Sequence, residues 1–170
     1  MKAARSNHSC VAASILIEAV IAMGVLATAI PLGFGVLAEA GKCTLASQAE
    51  TRSTWIIPAC MDEIHASRDG CPRYFPATTS GQTFPLAGER WALAFSPAGN
   101  PVGSISRTLY DRGTRVLDGQ SVSYIVSMDS TMAPEKSPGT PLMRVHLSLE
   151  YPAAAPAAMR RKLDFHTRIP

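Results

Sequence analysis

The feature that most constrains this chain is the run ILIEAVIAMGVLATAIPLGFGVLA at residues 15–38, in which one side chain, Glu18, carries a charge. As a helix the run would extend roughly 36 Å at about 1.5 Å per residue, against a bilayer hydrocarbon core of about 30 Å. It is therefore long enough to cross a membrane. Lys2 and Arg5 precede it with no acidic residue among them, which favours a cytoplasmic N-terminus and an outward-facing remainder.

Glu18 discriminates between the ways of using such a run. A cleavable secretory signal has a basic start, an apolar core and a small-residue exit, and Ala27-Thr28-Ala29 offers that exit, with a cut before Ile30. A carboxylate in lipid costs about 2.5 kcal/mol or more, so neither a cleaved signal nor a plain single-pass anchor gains by carrying one. A lipoprotein signal is weaker still, because Cys10 follows ARSNHS and not an apolar stretch.

Composition bounds the rest. With 170 residues there is room for one domain beside the membrane segment and none for a large enzyme core. Hydrophobic residues make up 46% and charged residues 17%, and the apolar excess lies in the first quarter, so the remaining three quarters read as an ordinary polar domain. The formal charge of +3 includes Lys2 and Arg5. Beyond that leader the chain is nearly neutral, which argues against a nucleic-acid partner. Cys10, Cys43, Cys60 and Cys71 form no C-x-x-C pair and have no histidine at zinc-finger spacing, so neither a metal nor any other cofactor is expected.

The stretch ASILIEAVIAMGVLA resembles the N-terminus of type IV prepilins and of the pseudopilins of type II secretion. In that family a short basic leader is cut just before a residue lying four ahead of a glutamate, and the new amino terminus is methylated. The resemblance implies cleavage between Ala13 and Ser14 by a prepilin peptidase and N-methylation of Ser14. It also implies an assembly role for Glu18, which would pair with the terminal amine of a neighbouring subunit as helices pack into a filament. A buried charge is tolerated when it is paired. The sequence departs from the family at the cut, where glycine then phenylalanine is usual and Ala13 then Ser14 stand here. Ala22, Gly24, Ala27 and Pro31 fit the family's helix, since small residues allow close helix approach in lipid.

The helical pattern continues over residues 39–66, with Leu45, Ala49, Ser53, Ile56, Cys60 and Ile64 recurring at three- and four-residue steps. This stripe would face a small domain and leave Lys42, Glu50, Arg52, Asp62 and Glu63 to solvent. Pro31 and Pro58 each remove a backbone donor and should kink the helix, Pro58 even dividing it. Residues 67–90, rich in Gly, Pro, Ser and Thr, read as an irregular connection.

From residue 91 the period changes to two. RWALAFS is a strand followed by a turn at PAGNP, with a further extended piece around Arg107 to Tyr110. SVSYIVSM puts Val122, Tyr124, Val126 and Met128 on one face. MRVHLSLEY puts Met143, Val145, Leu147, Leu149 and Tyr151 inward and Arg144, His146, Ser148 and Glu150 outward, and KLDFHTRI places Leu163, Phe165, Thr167 and Ile169 inward. Such strands belong to an antiparallel sheet with one wet face, and the amphipathic helix is the available cover for the dry one. The expected fold class is α+β: leader 1–13, membrane and assembly helix 14–38, helix continuation 39–66, connection 67–90 and antiparallel β domain 91–170. The pilin resemblance implies the same architecture. The C-terminal half, with LSLEYPAAAPAAM running through an alanine- and proline-rich loop into a last strand, is similar to the pilin-like proteins of the Verrucomicrobia cassette, particularly its protein B, with Tyr151 where that family favours tryptophan.

The residues do not point to catalysis. His65 lies near Cys60, Asp62 and Glu63, but Cys60 and His65 are five apart and point in different directions on a helix. His146 and His166 fall on polar strand faces, as cross-strand neighbours if those strands pair. No G-x-S-x-G, H-E-x-x-H or P-loop pattern occurs, so no catalytic residue is assigned. MRRK, at residues 159–162, is the densest positive cluster and reads as a solvated loop in preference to a DNA contact, having no interleaved aromatics. An envelope location permits a disulfide, and Cys60 with Cys71 would close a short loop across the helix end, at about 2–3 kcal/mol. Free thiols are the alternative.

The expected protein is a pilin-like subunit without an active site, held in the bacterial inner membrane by one helix with its C-terminal domain in the periplasm. From there it would enter a pilus or pseudopilus with other pilin-like subunits. The competing reading is a signal-cleaved or single-pass anchored binding domain that forms no filament.

Overall fold

The structure is a computed structural model that describes residues 7–75, 90–132 and 143–169, with the backbone alone described for residues 7–16. It contains one long helix, α1 (Asn7–Arg68), then β1 (Arg90–Phe95), β2 (Pro101–Ser104), α2 (Arg107–Arg112), β3 (Val116–Leu117), β4 (Gln120–Ser121), β5 (Tyr124–Met132), β6 (Met143–Tyr151), a 3₁₀ turn (Ala157–Met159) and β7 (Arg161–Ile169). The chain is α+β, with a five-stranded antiparallel sheet in the order β2-β1-β5-β6-β7 and a small β3-β4 hairpin. It divides into two compact units, residues 1–47 and 48–170, and α1 contributes to both.

In the first unit α1 is apolar and exposed along the described positions. Ile17, Val20, Met23, Leu32, Phe34 and Leu37 are each more than half exposed. Thr28 returns its hydroxyl to the carbonyls of Gly24 and Val25, at 3.3 and 3.0 Å, so this polar side chain is satisfied within the helix. Pro31 and, in the second unit, Pro58 both lie inside α1, which neither ends nor divides at them.

In the second unit the later part of α1 lies on the sheet. Ala49, Ile56, Cys60 and Ile64 are fully buried with Leu93 and Phe95 of β1, Val126 and Met128 of β5, Val145, Leu147 and Leu149 of β6 and Ile169 of β7. The stripe is the expected one from Ala49 onward, whereas Leu45 is exposed and belongs to the first unit. Burying each large aliphatic side chain contributes about 1.5–3 kcal/mol, so helix and sheet hold each other. The turn of the β1-β2 hairpin closes the same interface. Gly99 has a φ of 89°, and a Cβ there would stand 2.6 Å from Trp55 Nε1, so a side chain is excluded both by backbone and by space.

Glu63 differs from expectation. It is buried, and its Oε1 accepts the backbone N–H groups of Arg73, Tyr74 and Phe75 at 2.8, 2.6 and 3.0 Å. The chain makes this possible by reversing after α1: Cys71 N donates to Ala66 O and Gly70 N to Ser67 O, the paired bonds of a Schellman end. Phe75 is thereby placed edge-on to Trp91, with centroids 5.0 Å apart. Part of residues 67–90 is thus ordered by a carboxylate clasp, and residues 76–89 lie outside the described part.

The second face of the sheet is wet at one end only. Ala92, Ala94 and Ile125 are covered by Ile105, Tyr110, Val122 and Ala153 in a second small core. Backbone bonds at 2.9 Å stitch this layer down, from Ile105 to Ala92, Ala153 to Ser123 and Thr114 to Ala153. The piece around Arg107 to Tyr110, expected to be extended, is the helix α2, with Tyr110 as its buried residue. Val122 likewise leaves the face of Tyr124, Val126 and Met128 for this second core, because β5 begins only at Tyr124.

Candidate functional site

The positions expected to carry the function lie in α1. Ala13 and Ser14 fall within the helix, and Glu18 stands exposed on it among the apolar side chains. Among the described residues Glu18 has no ion pair or hydrogen-bond partner. The nearest ion pair along the helix is Lys42 Nζ to Glu39 Oε2, 3.1 Å. Among the described residues α1 is the one helix long and apolar enough to cross a membrane.

The expected bridge between Cys60 and Cys71 is not formed: both are free thiols. Cys60 sits in the core between Ile56 and Ile64, while Cys71 is exposed and borders a hollow with Ala59, Asp62, Glu63 and Ala66, on another side of α1. Burial, with Glu63 beside it adding to the effect, pushes the Cys60 thiol well up. His65 is exposed on α1. Among the described residues no group of three or more His, Cys, Asp or Glu side chains is arranged to hold a metal ion.

His146 and His166 do pair across β6 and β7, with rings stacked at 4.6 Å and 17°. Both nitrogens of His146 meet carboxylates: Nδ1 is 3.4 Å from Asp129 Oδ2 and Nε2 is 3.1 Å from Asp164 Oδ1. Arg90 Nη2 extends the row, 3.9 Å from Asp129 Oδ2.

At the covered end of that face lies a group the sequence did not reveal. Glu150, expected outward, does point to the second face, but its side chain is 0% exposed. Its Oε2 meets Arg160 Nη1 at 3.0 Å, and its Oε1 accepts from Tyr110 Oη at 2.5 Å and Lys162 Nζ at 3.0 Å, with Ser127 Oγ at 3.4 Å. Arg160, also fully buried, donates further to the carbonyls of Ala155 (2.8 Å) and Tyr110, and lies over the Tyr110 ring at 4.9 Å. Burial and the hydrogen bond to Glu150 raise Tyr110 above its ordinary pKa, and the same carboxylate raises Lys162. Two members of MRRK are therefore engaged by Glu150, Arg160 from inside the fold and Lys162 from its half-exposed edge, while Met159 and Arg161 are exposed. The signal available was negative: an alternating strand cannot say which part of its polar face another layer will cover.

Beside α2 this layer leaves a cleft of about 560 Å³, lined by Arg90, Trp91, Ala92, Ile105, Arg107, Tyr110 and Asp111. The hollow beside Cys71 and Glu63 measures about 410 Å³ and reaches Arg73, Tyr74 and Pro101. Comparison with protein-family models, with curated proteins and with solved structures found no match to this chain.

Proposed function

We propose that this chain is a pilin-like structural subunit, a pseudopilin or minor pilin, of a type IV pilus or type II secretion-like envelope assembly. The observation that carries the reading is Glu18, an acidic residue without a partner among the described residues, set in an otherwise apolar and exposed stretch of α1. Ile17, Val20, Met23, Leu32, Phe34 and Leu37 alone leave on the order of 10 kcal/mol of burial unrealised, as much as a whole domain's net stability. Such a surface needs lipid or other helices around it, and the carboxylate needs a cation.

On this reading prepilin peptidase cuts between Ala13 and Ser14, Ser14 is methylated, and the helix waits in the inner membrane with its C-terminal domain in the periplasm. Assembly then exchanges lipid for neighbouring helices. Glu18 sets the register, because a slipped alignment leaves the carboxylate unpaired in an apolar setting. The α+β fold supports the reading, since the later part of α1 is held on an antiparallel sheet and is not itself available for helix packing.

Glu18→Ala tests it. A subunit of this kind should still insert into membranes but lose cross-linking to neighbouring pilin-like subunits. A simple anchor carrying a binding domain should insert slightly better and keep every association.

A further inference from the structure

The cleft beside α2 combines unspent charge with apolar wall. Arg107 and Asp111, one turn apart on α2, form no ion pair and no side-chain hydrogen bond among the described residues. Arg90, at the start of β1, lines the same cleft, and among the described residues its one ion pair is with Asp129 at 3.9 Å, with its side chain 59% exposed. The hydroxyl of Tyr110 is committed to Glu150, and Ala92 and Ile105 have no polar side-chain atom. The ring of Trp91 packs edge-on to Phe75 against the first core, so polar side-chain recognition in the cleft falls to two guanidinium groups and one carboxylate.

We propose that this cleft binds a carboxylate group borne on a small apolar body. A guanidinium presents its donors as a planar fork that matches a carboxylate, and two forks facing one space can share its oxygens. The local field stays positive: Arg90, Arg107, Arg160 and Lys162 oppose Asp111, Asp129 and Glu150. That excess of one charge suits a monoanion. A phosphate dianion would leave negative charge uncompensated beside Asp111, and the Asp111 carboxylate would accept from an amide N–H next to the bound acid. Partly exposed ion pairs are worth little individually, so the expected affinity is about millimolar. A carboxylate tethered to an associated chain would still occupy the cleft through its effective concentration. The carboxylate can come from a free small acid or from an acidic side chain of a peptide, and this inference does not depend on the filament reading.

The test uses the full chain in detergent micelles, with the arginine Nε–Hε signals followed by NMR at ionic strength held constant with sodium chloride. The probes are N-acetylalanine, the blocked peptide acetyl-Ala-Glu-Ala-amide, and inorganic phosphate. Arg90 and Arg107 should shift saturably with both carboxylates and less readily with phosphate. Tighter binding of the first probe assigns the cleft to free acids, and tighter binding of the second assigns it to acidic side chains. Arg107→Gln should weaken the carboxylates about threefold, Asp111→Asn should reduce the preference over phosphate, and Arg168→Gln, outside the cleft, should change neither. Equal, non-saturating shifts at all arginines, unchanged affinity in Arg107→Gln, or phosphate binding more tightly than both carboxylates would overturn the proposal.

Discussion

Two glutamates separate the two units. Glu150, in the sheet unit, is fully buried and answered from within the chain by Arg160, Lys162, Tyr110 and Ser127. Glu18, in the helix unit, is exposed among apolar side chains and has no partner among the described residues. Desolvating a carboxylate costs several kcal/mol wherever it is done, so each needs a cation and donors around it. The sheet unit carries its own; the helix unit, on the proposed reading, obtains one from a neighbouring subunit. On that reading the contrast separates stability from assembly: the charge satisfied internally would fix the fold and the charge left over would fix the association.

The sharpest way to break the contrast from the sheet side is Arg160→Met. It strands Glu150 with Lys162 as its remaining cation, and removing one partner of a buried pair typically costs about 3–5 kcal/mol. Thermal unfolding of the full chain in micelles should show the sheet unit melting far earlier while membrane insertion is unaffected. An unchanged midpoint would mean that the Glu150 group is not what holds the second layer down.

Gly99→Ala should come next. The positive φ and the 2.6 Å approach to Trp55 both oppose a side chain, and a loss of about 1–3 kcal/mol is expected from strain of this kind. Amide hydrogen exchange should localise the loosening to the β1-β2 turn and to α1 near Trp55.

The comparison also explains what the sequence could and could not disclose. The apolar run with Glu18 is legible because it is contiguous. So are the helix stripe from Ala49 to Ile64, the existence of β1, and the inward rows of β5 from Tyr124 onward, of β6 and of β7, since period alone encodes which side is buried. Glu63 and Glu150 read as solvent-facing for one reason: their partners lie elsewhere in the chain, in the backbone of residues 73–75 and in Tyr110 and Arg160. α2 reads as extended because six residues with one buried position carry too little periodicity. The disulfide expectation counts separation along the chain, which does not record that Cys60 and Cys71 lie on different sides of α1.

Alkaline titration gives a smaller effect. Tyr110, raised chiefly by burial and then by its bond to Glu150, and Lys162, raised chiefly by its bond to Glu150, both have folded-state values above their unfolded ones. Their contribution is therefore complete below the unfolded values, near about pH 10, and is lost as pH climbs through the folded ones. Lys162 is 45% exposed, so solvent weakens its share. Stability should be flat only up to about pH 8.5, where the unfolded Cys60 thiol begins to ionise while the buried one does not, and should fall further above about pH 10, with that later part of the decline reduced in Tyr110→Phe.

Thiol labelling changes no stability at all. Cys43 and Cys71 are exposed and should react at neutral pH in the native protein, whereas Cys60, buried and with its thiol pushed up, should react only on unfolding. Protection of Cys71 that is released by reductant would show that the two cysteines do form a bridge.

The central claim is that the apolar helix is handled as a subunit's assembly helix, and the most direct measurement is the intact mass and N-terminal sequence of the protein extracted from its own membranes. The account predicts a chain beginning at Ser14 with a methylated amine. A chain beginning at Ile30 would identify an ordinary signal peptide, remove Glu18 from the mature protein and contradict the account.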